Sequence, residues 1–148
     1  MFRTHLAFGF LAALFSLQYL NPGNQVLFFI LVMIGACLPD IDHPKSKLGK
    51  YFKPIGWLFE HRGFFHSIFM LVILSLIVLY FFNWFYTSAI AIGFLSHLVS
   101  DAITVQGIMP FHPLSRFRLR GPIETNSIFE TIIFIAVLVV DVLKLIRL

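Results

Sequence analysis

The stretch Phe64–Tyr86 reads FFHSIFMLVILSLIVLYFFNWFY and contains no Asp, Glu, Lys or Arg. A helix that crosses a bilayer needs about 20 consecutive, mostly apolar residues, within a range of roughly 17–25. The run meets that length and predicts a membrane span. Its composition recurs on both sides. Ile128 to Ile146 is nearly as apolar and predicts a last span. Ser88 to Val105 predicts another, although it carries His97 and Asp101. Thr4 to Leu20 would be the first in chain order. Val26 to Leu38 is short and reaches only about 20 Å at ~1.5 Å per residue. It fits a thinned bilayer, or an end that stops in a water-filled recess.

The 148-residue chain is 59% hydrophobic and 12% charged, with a mean hydropathy of +0.90. Soluble domains run at about 45–50% apolar and ~25% charged, which excludes an ordinary soluble globule. A disordered chain needs the opposite composition. Nineteen Phe suit lipid contact and anchoring at the interface. The expected fold is therefore all-α: one domain, residues 1–148, an integral membrane bundle of about five transmembrane helices. The net charge of +4 is small, and no nucleic-acid partner is expected. The single cysteine, Cys37, makes no intrachain disulfide and marks no oxidising compartment. Arg3 followed by an apolar run imitates a signal peptide. Asn21-Pro22-Gly23 reads as a turn rather than a cleavage site, so this first helix is expected to be retained.

Five spans put the N-terminus, loop 39–63 and loop 106–127 on one side of the membrane. That side carries Arg3, Lys45, Lys47, Lys50, Lys53, Arg62, Arg116, Arg118 and Arg120, against Lys144 and Arg147 on the other. The asymmetry orients both long loops toward the cytoplasm. The expected location is the cytoplasmic membrane, multi-pass. In loop 39–63, Leu48, Tyr51, Phe52, Ile55, Leu58 and Phe59 fall at helical spacing with lysines between them. This predicts a short interfacial helix within 44–60, limited by Gly49, Pro54 and Gly56.

An ionisable residue in or beside a span is costly, and is a functional hypothesis by default. His5 opens the first span. Asp40, Asp42 and His43 close the second. Glu60, His61 and His66 open the third, His97 and Asp101 end the fourth, and Glu124 and Glu130 precede or open the fifth. Under the five-span topology all of these gather on the cytoplasmic face, and only Asp141 lies near the other. Asp141 and Lys144 read as an i, i+3 pair at that far surface. His97 and Asp101 form HxxxD, whose i, i+4 spacing places both on one helix face. Pro39 breaks the helix before Asp40-Ile41-Asp42-His43, so the run is expected to be extended, with Asp40 and Asp42 on the same side. His61 and His66 flank Gly63, where a bend can aim both at one point. Taken singly, each element has a bland reading as an interfacial anchor, a cap or a turn. Their convergence on one face points to a metal site, because imidazole with carboxylate suits zinc, manganese or iron, and oxygen-rich sets suit magnesium.

The segments LPDIDHPKSKLG from Leu38, HRGFFHS from His61 and GFLSHLVSDAIT from Gly93 resemble the YdjM-like family of membrane-bound metal-dependent hydrolases. The resemblance continues through Pro113, Arg118 and Asn126 to Glu130, and so covers nearly the whole chain. One departure is Phe65, where that family often has Thr. The family is similar in turn to zinc-dependent phospholipase C and single-strand-specific zinc nucleases, which are all-helical enzymes with clustered zinc ions. The resemblance implies metal roles for His5, Asp40, His61, His66, His97, Asp101 and Glu130, with Asp42 beside them. It implies two or three divalent ions per chain, zinc first, with manganese, iron or magnesium as alternatives.

The expected activity is hydrolysis of a phosphoester at the cytoplasmic membrane surface. Asp42 or Asp40 would bridge metals or act as general base. Arg62 and Arg118 would bind phosphate bidentately. The substrate would be a phosphorylated amphipathic molecule drawn from the membrane lipids, entering sideways past Phe64, Phe65 and Phe69 into an open basic cavity. Lysines of loop 39–63 would favour anionic lipids by ~1 kcal/mol each. Two other readings stand beside it: a metal or proton transporter, and a non-catalytic membrane protein with a structural metal site. No GxGxxG, Walker loop or GxSxG elbow is present, so nucleotide cofactors and serine hydrolysis have no support.

Overall fold

The computed structural model describes residues 1–43 and 62–147. The interfacial helix expected within 44–60, its lysines, and His61 lie outside the described residues. Among those described the chain is all-helical, with five α-helices: α1 (Phe2–Leu20), α2 (Gln25–Cys37), α3 (Ile68–Phe81), α4 (Trp84–Ala102) and α5 (Ile128–Ile146). Short 3₁₀ turns occupy Pro39–Asp42 and Phe64–His66.

Side-chain caps explain the boundaries. Asn24 accepts from Leu27 N–H to open α2, and Ser127 accepts from Glu130 N–H to open α5. The run Phe64–Tyr86 is not one helix. Ser67 Oγ accepts from Met70 N–H at its start, and Asn83 Oδ1 accepts from Phe85 N–H near its end. Ser and Asn are favoured N-caps because a side-chain oxygen satisfies an orphan amide. The expected third span therefore shrinks to Ile68–Phe81, and Trp84–Tyr86 passes to α4. The fourth ends at Ala102, short of Val105. One helical stretch among the described residues, Gln25–Asp42, is both long and apolar enough to cross a membrane by length and composition; Ile68–Phe81 is apolar but shorter.

The stretch Pro39–Asp42 corrects a second expectation. It is a 3₁₀ turn with Pro39 in its first positions, not an extended run. Proline is tolerated there because its missing N–H would have no partner in any case. At three residues per turn, Asp40 and Asp42 cannot share a side.

Helices α2 and α4 form the centre of the bundle. Helix α1 packs on both and on α5, while α3 packs on α4. Ala13, Phe28, Val32 and Ala89 form one buried cluster, and Phe94, Leu98 and Ile108 another. Thr4 bonds Glu130, and Lys144 bonds Gln18 at the same sequence offset of 126, so α1 and α5 run parallel.

The outer helices turn apolar side chains outward. Helix α3 has no fully buried side chain, and meets the core through the partly buried Met70, Leu71 and Leu74. On α5 the buried residues are Glu130 and Asp141, while Ile132, Leu138, Val139 and Leu143 are exposed. A helix that faced water would show the reverse. Lipid as the surrounding solvent accounts for it, since apolar side chains then belong outside and ionisable ones turn inward.

Candidate metal centre

Four described segments bring their chemistry to one point at a single end of the bundle. His5 comes from the first turn of α1, and Asp40 and Asp42 from the 3₁₀ turn after α2. Arg62 and His66 precede α3, and His97 and Asp101 end α4. His5, His97 and Asp101 form one group whose ligand atoms lie within 4.8 Å of one another; Asp40, His66 and His97 form a second. His97 belongs to both. His5, Asp42, His66, His97 and Asp101 are all buried, and Asp40 is half-buried.

The outer nitrogens are fixed by the protein. His97 Nδ1 lies 2.8 Å from the Ala36 carbonyl. A carbonyl only accepts, so Nδ1 carries a proton, and in the neutral ring Nε2 offers a lone pair. Ser100 donates its hydroxyl to the His97 carbonyl at 2.8 Å, so its oxygen accepts from His5 Nδ1 at 2.6 Å. His5 Nε2 is then also a lone pair. His66 Nδ1 lies 3.3 Å from Asp42 Oδ2. Burial pushes the His66 pKa below its ordinary value, with Asp42 pulling the other way. Metal-binding histidines are typically oriented in this way by a carbonyl, hydroxyl or carboxylate on the far nitrogen.

The inner atoms crowd together. His66 Nε2 and His97 Nε2 are 3.3 Å apart. Asp101 Oδ2 lies 3.4 Å from the first and 3.5 Å from the second, and is buried without a hydrogen-bond partner among the described residues. His5 Nε2 is 3.6 Å from Asp101 Oδ1, and Asp40 Oδ1 is 3.9 Å from His97 Nε2. Lone pairs facing one another around a carboxylate repel unless a proton or a metal ion lies among them. The donor set of imidazole nitrogen and carboxylate oxygen fits a divalent transition ion.

Arg62 does not extend toward a substrate. It is 6% exposed. Its Nη2 donates to Asp101 Oδ1 at 2.8 Å, and Nη1 donates to Thr104 Oγ1 at 3.0 Å and to the Gly107 carbonyl. Its backbone is left-handed, with φ of 62°, and its N–H donates to Asp42 Oδ2 at 3.3 Å. A non-glycine residue held there costs about 1–2 kcal/mol, and such positions gather at functional sites. The phosphate-binding reading of Arg62 gives way to one in which its guanidinium holds Asp101 in place and balances its charge.

Glu130 belongs to neither group of ligand atoms. It accepts from Thr4 Oγ1 at 2.6 Å and Asn126 N–H at 2.6 Å, and pairs with the N-terminal ammonium at 2.7 Å. It ties the start of α1, and thus His5, to α5. Asp42 likewise addresses the outer nitrogen of His66 rather than entering either group. Arg118 donates to the Gln106 carbonyl at 3.0 Å, beside the Gly107 carbonyl that Arg62 uses. The open basic cavity was expected beside Arg62 and the loop carrying Arg116, Arg118 and Arg120; of these, Arg62 is buried and Arg116 and Arg120 are exposed. Ser100, Thr104 and the Ala36 carbonyl were missed as supports. Ser100 and Thr104 had a signal, standing three and seven residues after His97 on the same motif; a backbone carbonyl has none.

The fold and this cluster define a helical membrane protein with a buried His/Asp centre at one end. The family described as YdjM inner membrane protein matches residues 1–147, and the chain belongs to that family. The Bacillus subtilis (strain 168) protein named Uncharacterized protein YvsG is 34% identical over 138 residues, 88% of this chain and 85% of its own length. Inner membrane protein YdjM of Escherichia coli (strain K12) is 33% identical over 136 residues, 80% of this chain and 68% of its own. The protein of that name from Shigella flexneri gives the same figures. No solved structure matches.

Proposed function

We propose that the chain crosses the cytoplasmic membrane five times, holds divalent metal ions in the His5, Asp40, His66, His97 and Asp101 cluster, and hydrolyses a phosphoester of an amphipathic substrate at the cytoplasmic surface. The observation that supports it most is the nose-to-nose approach of His66 Nε2 and His97 Nε2 at 3.3 Å beside Asp101 Oδ2, an oxygen without a hydrogen-bond partner among the described residues. Divalent ions bound there would supply Lewis acidity toward phosphoryl oxygens and acidify water. Asp40, the most exposed carboxylate of the set, is the group to accept a proton at Oδ1. Asp42 orients His66, and Arg62 holds Asp101. Arg116, Arg118 and Arg120 line one loop and are suited to phosphate, and the lysines of 44–61 to anionic lipid.

Purified protein in detergent should release phosphate or a phosphorylated head group from a panel of phospholipids, lipid phosphates and phosphodiesters. Chelator should abolish turnover and added zinc or manganese restore it. Asp40→Asn should lower kcat per bound metal ion about 10²–10⁴-fold, the usual worth of a general base, and weaken metal uptake as well, because Asp40 also belongs to the ligand set. Inertness of the metal-loaded protein against the whole panel overturns the catalytic claim. The near-complete burial of His66, His97 and Asp101 supports a second reading, a metal that only holds the helices together. In that case chelation lowers the melting temperature while no member of the panel turns over.

The orientation has its own test. In a Cys37→Ser background, single cysteines placed at Ser115 and at Gly23 should label oppositely with an impermeant maleimide in intact cells, Gly23→Cys from outside and Ser115→Cys only after lysis. Labelling of Ser115→Cys from outside reverses the topology.

A further inference from the structure

Away from the cluster, α1, α2 and α5 enclose a groove of about 350 Å³. Leu6, Ala7 and Phe10 form one wall, Phe134, Leu138 and Leu145 the other, and Met33 the floor. One acid lines this apolar space. Asp141 is 3% exposed, and both its carboxylate oxygens are buried without a hydrogen-bond partner among the described residues.

The sequence pairs Asp141 with Lys144, and the structure does not. Lys144 Nζ turns away to Gln18 Oε1 at 2.5 Å and sits 3.8 Å over the Phe15 ring. Arg3 also lines the groove, but at its other end. The common offset of 126 puts Asp141 level with Phe15, so Arg3 stands about 18 Å away at ~1.5 Å per residue. Neither cation of the groove's surroundings meets the carboxylate. An ionisable group facing an apolar space without a partner is costly, and inside a membrane it marks a ligand or ion site by default.

We propose that this groove binds a hydrophobic amine, its ammonium on Asp141 and its aliphatic body along Leu138, Phe134 and Phe10. The shape fits an amphiphile lying along the helices. Asp141 lies toward the end of the bundle that carries Gln18 and Lys144, and the apolar walls run from it past Phe10 and Leu6 toward Arg3 at the other end. Charge complementarity selects the head and the walls select the chain. The site shares no residue with the metal centre, so the two readings stand or fall separately.

Dodecylamine is the probe and dodecanol its neutral control. Native mass spectrometry of the purified full chain, released from detergent, counts bound probe. Wild-type protein should take one dodecylamine per chain. Asp141→Asn should bind it at least about tenfold more weakly, the loss expected for one charge-assisted hydrogen bond, while dodecanol binding changes little. Leu138→Trp, at a lipid-exposed position, should block the groove and reduce both. It keeps the test decisive if Asp141→Asn fails to fold. Metal content should be the same in all three proteins. Equal dodecylamine binding by wild-type and Asp141→Asn, or by wild-type and Leu138→Trp, or none by wild-type, overturns the proposal.

Discussion

His97→Ala is expected to strip the chain of bound metal. His97 is shared by both groups of ligand atoms, so one substitution removes a donor from each. Alanine is the best helix former and leaves α4 intact. The loss should therefore appear in the metal, not in the helix. Removing a group that only orients a ligand costs about 10–100-fold in metal affinity. Loss of a shared ligand should exceed that, at 100-fold or more. Ser100→Ala, which releases His5 Nδ1 from its acceptor, should fall within the smaller range. Elemental analysis after gel filtration gives ions per chain, and chelator competition gives the affinities. A wild-type protein that takes up neither zinc nor manganese, or a His97→Ala protein with wild-type affinity, ends the metal reading.

How far this site could be read from sequence depends on the kind of contact involved. HxxxD needed only helical spacing, and the structure puts His97 Nε2 3.5 Å from Asp101 Oδ2. The meeting of His5, Asp40, His66 and His97 has a simple form in the structure, because each sits at or beside a helix end at the same end of the bundle. Local geometry was harder. Proline reads as a helix breaker, yet at the first position of a turn it starts one, and Asp40 and Asp42 separated in consequence. Hydropathy could not see that Ser67 and Asn83 cap helices within an apolar run, since it weighs composition and not hydrogen bonds. Arg62 looked like a phosphate ligand because charge suggests a solvent-facing role. Its burial against Asp101 and Thr104 is a tertiary fact that no local pattern carries. Glu130 lay in the right region, but the N-terminal ammonium and Thr4 claimed its oxygens.

Gly93→Ala should damage the fold and the metal centre together. At Gly93 the backbones of α4 and α2 come into close approach. A Cβ at Gly93 would stand 2.7 Å from Ala36 N, and closer still to the Val32 carbonyl oxygen. Those atoms are backbone, so no rotamer change relieves the overlap. Gly35 makes the reciprocal approach, against the Ile90 carbonyl. Small residues that let two backbones touch are how helices pack where lipid removes the hydrophobic drive. Overpacking a core costs about 1–3 kcal/mol when side chains can yield; against backbone the upper end is expected. For a chain of this size that lowers the melting temperature by about 10 °C or more. The damage extends to the site for a geometric reason. Gly93 and His97 are one turn apart on one face of α4, and Ala36, which the new methyl would push, supplies the carbonyl that fixes the His97 tautomer at 2.8 Å. Displacing α2 breaks that bond and frees the His97 ring to turn. Thermal unfolding in detergent, with metal content measured on the same samples, tests both effects. Leu95→Ala, at an exposed position of the same helix, is the control and should stay within about 0.5 kcal/mol of wild type. If Gly93→Ala melts with the wild type and keeps its metal, the close crossing does not position the site.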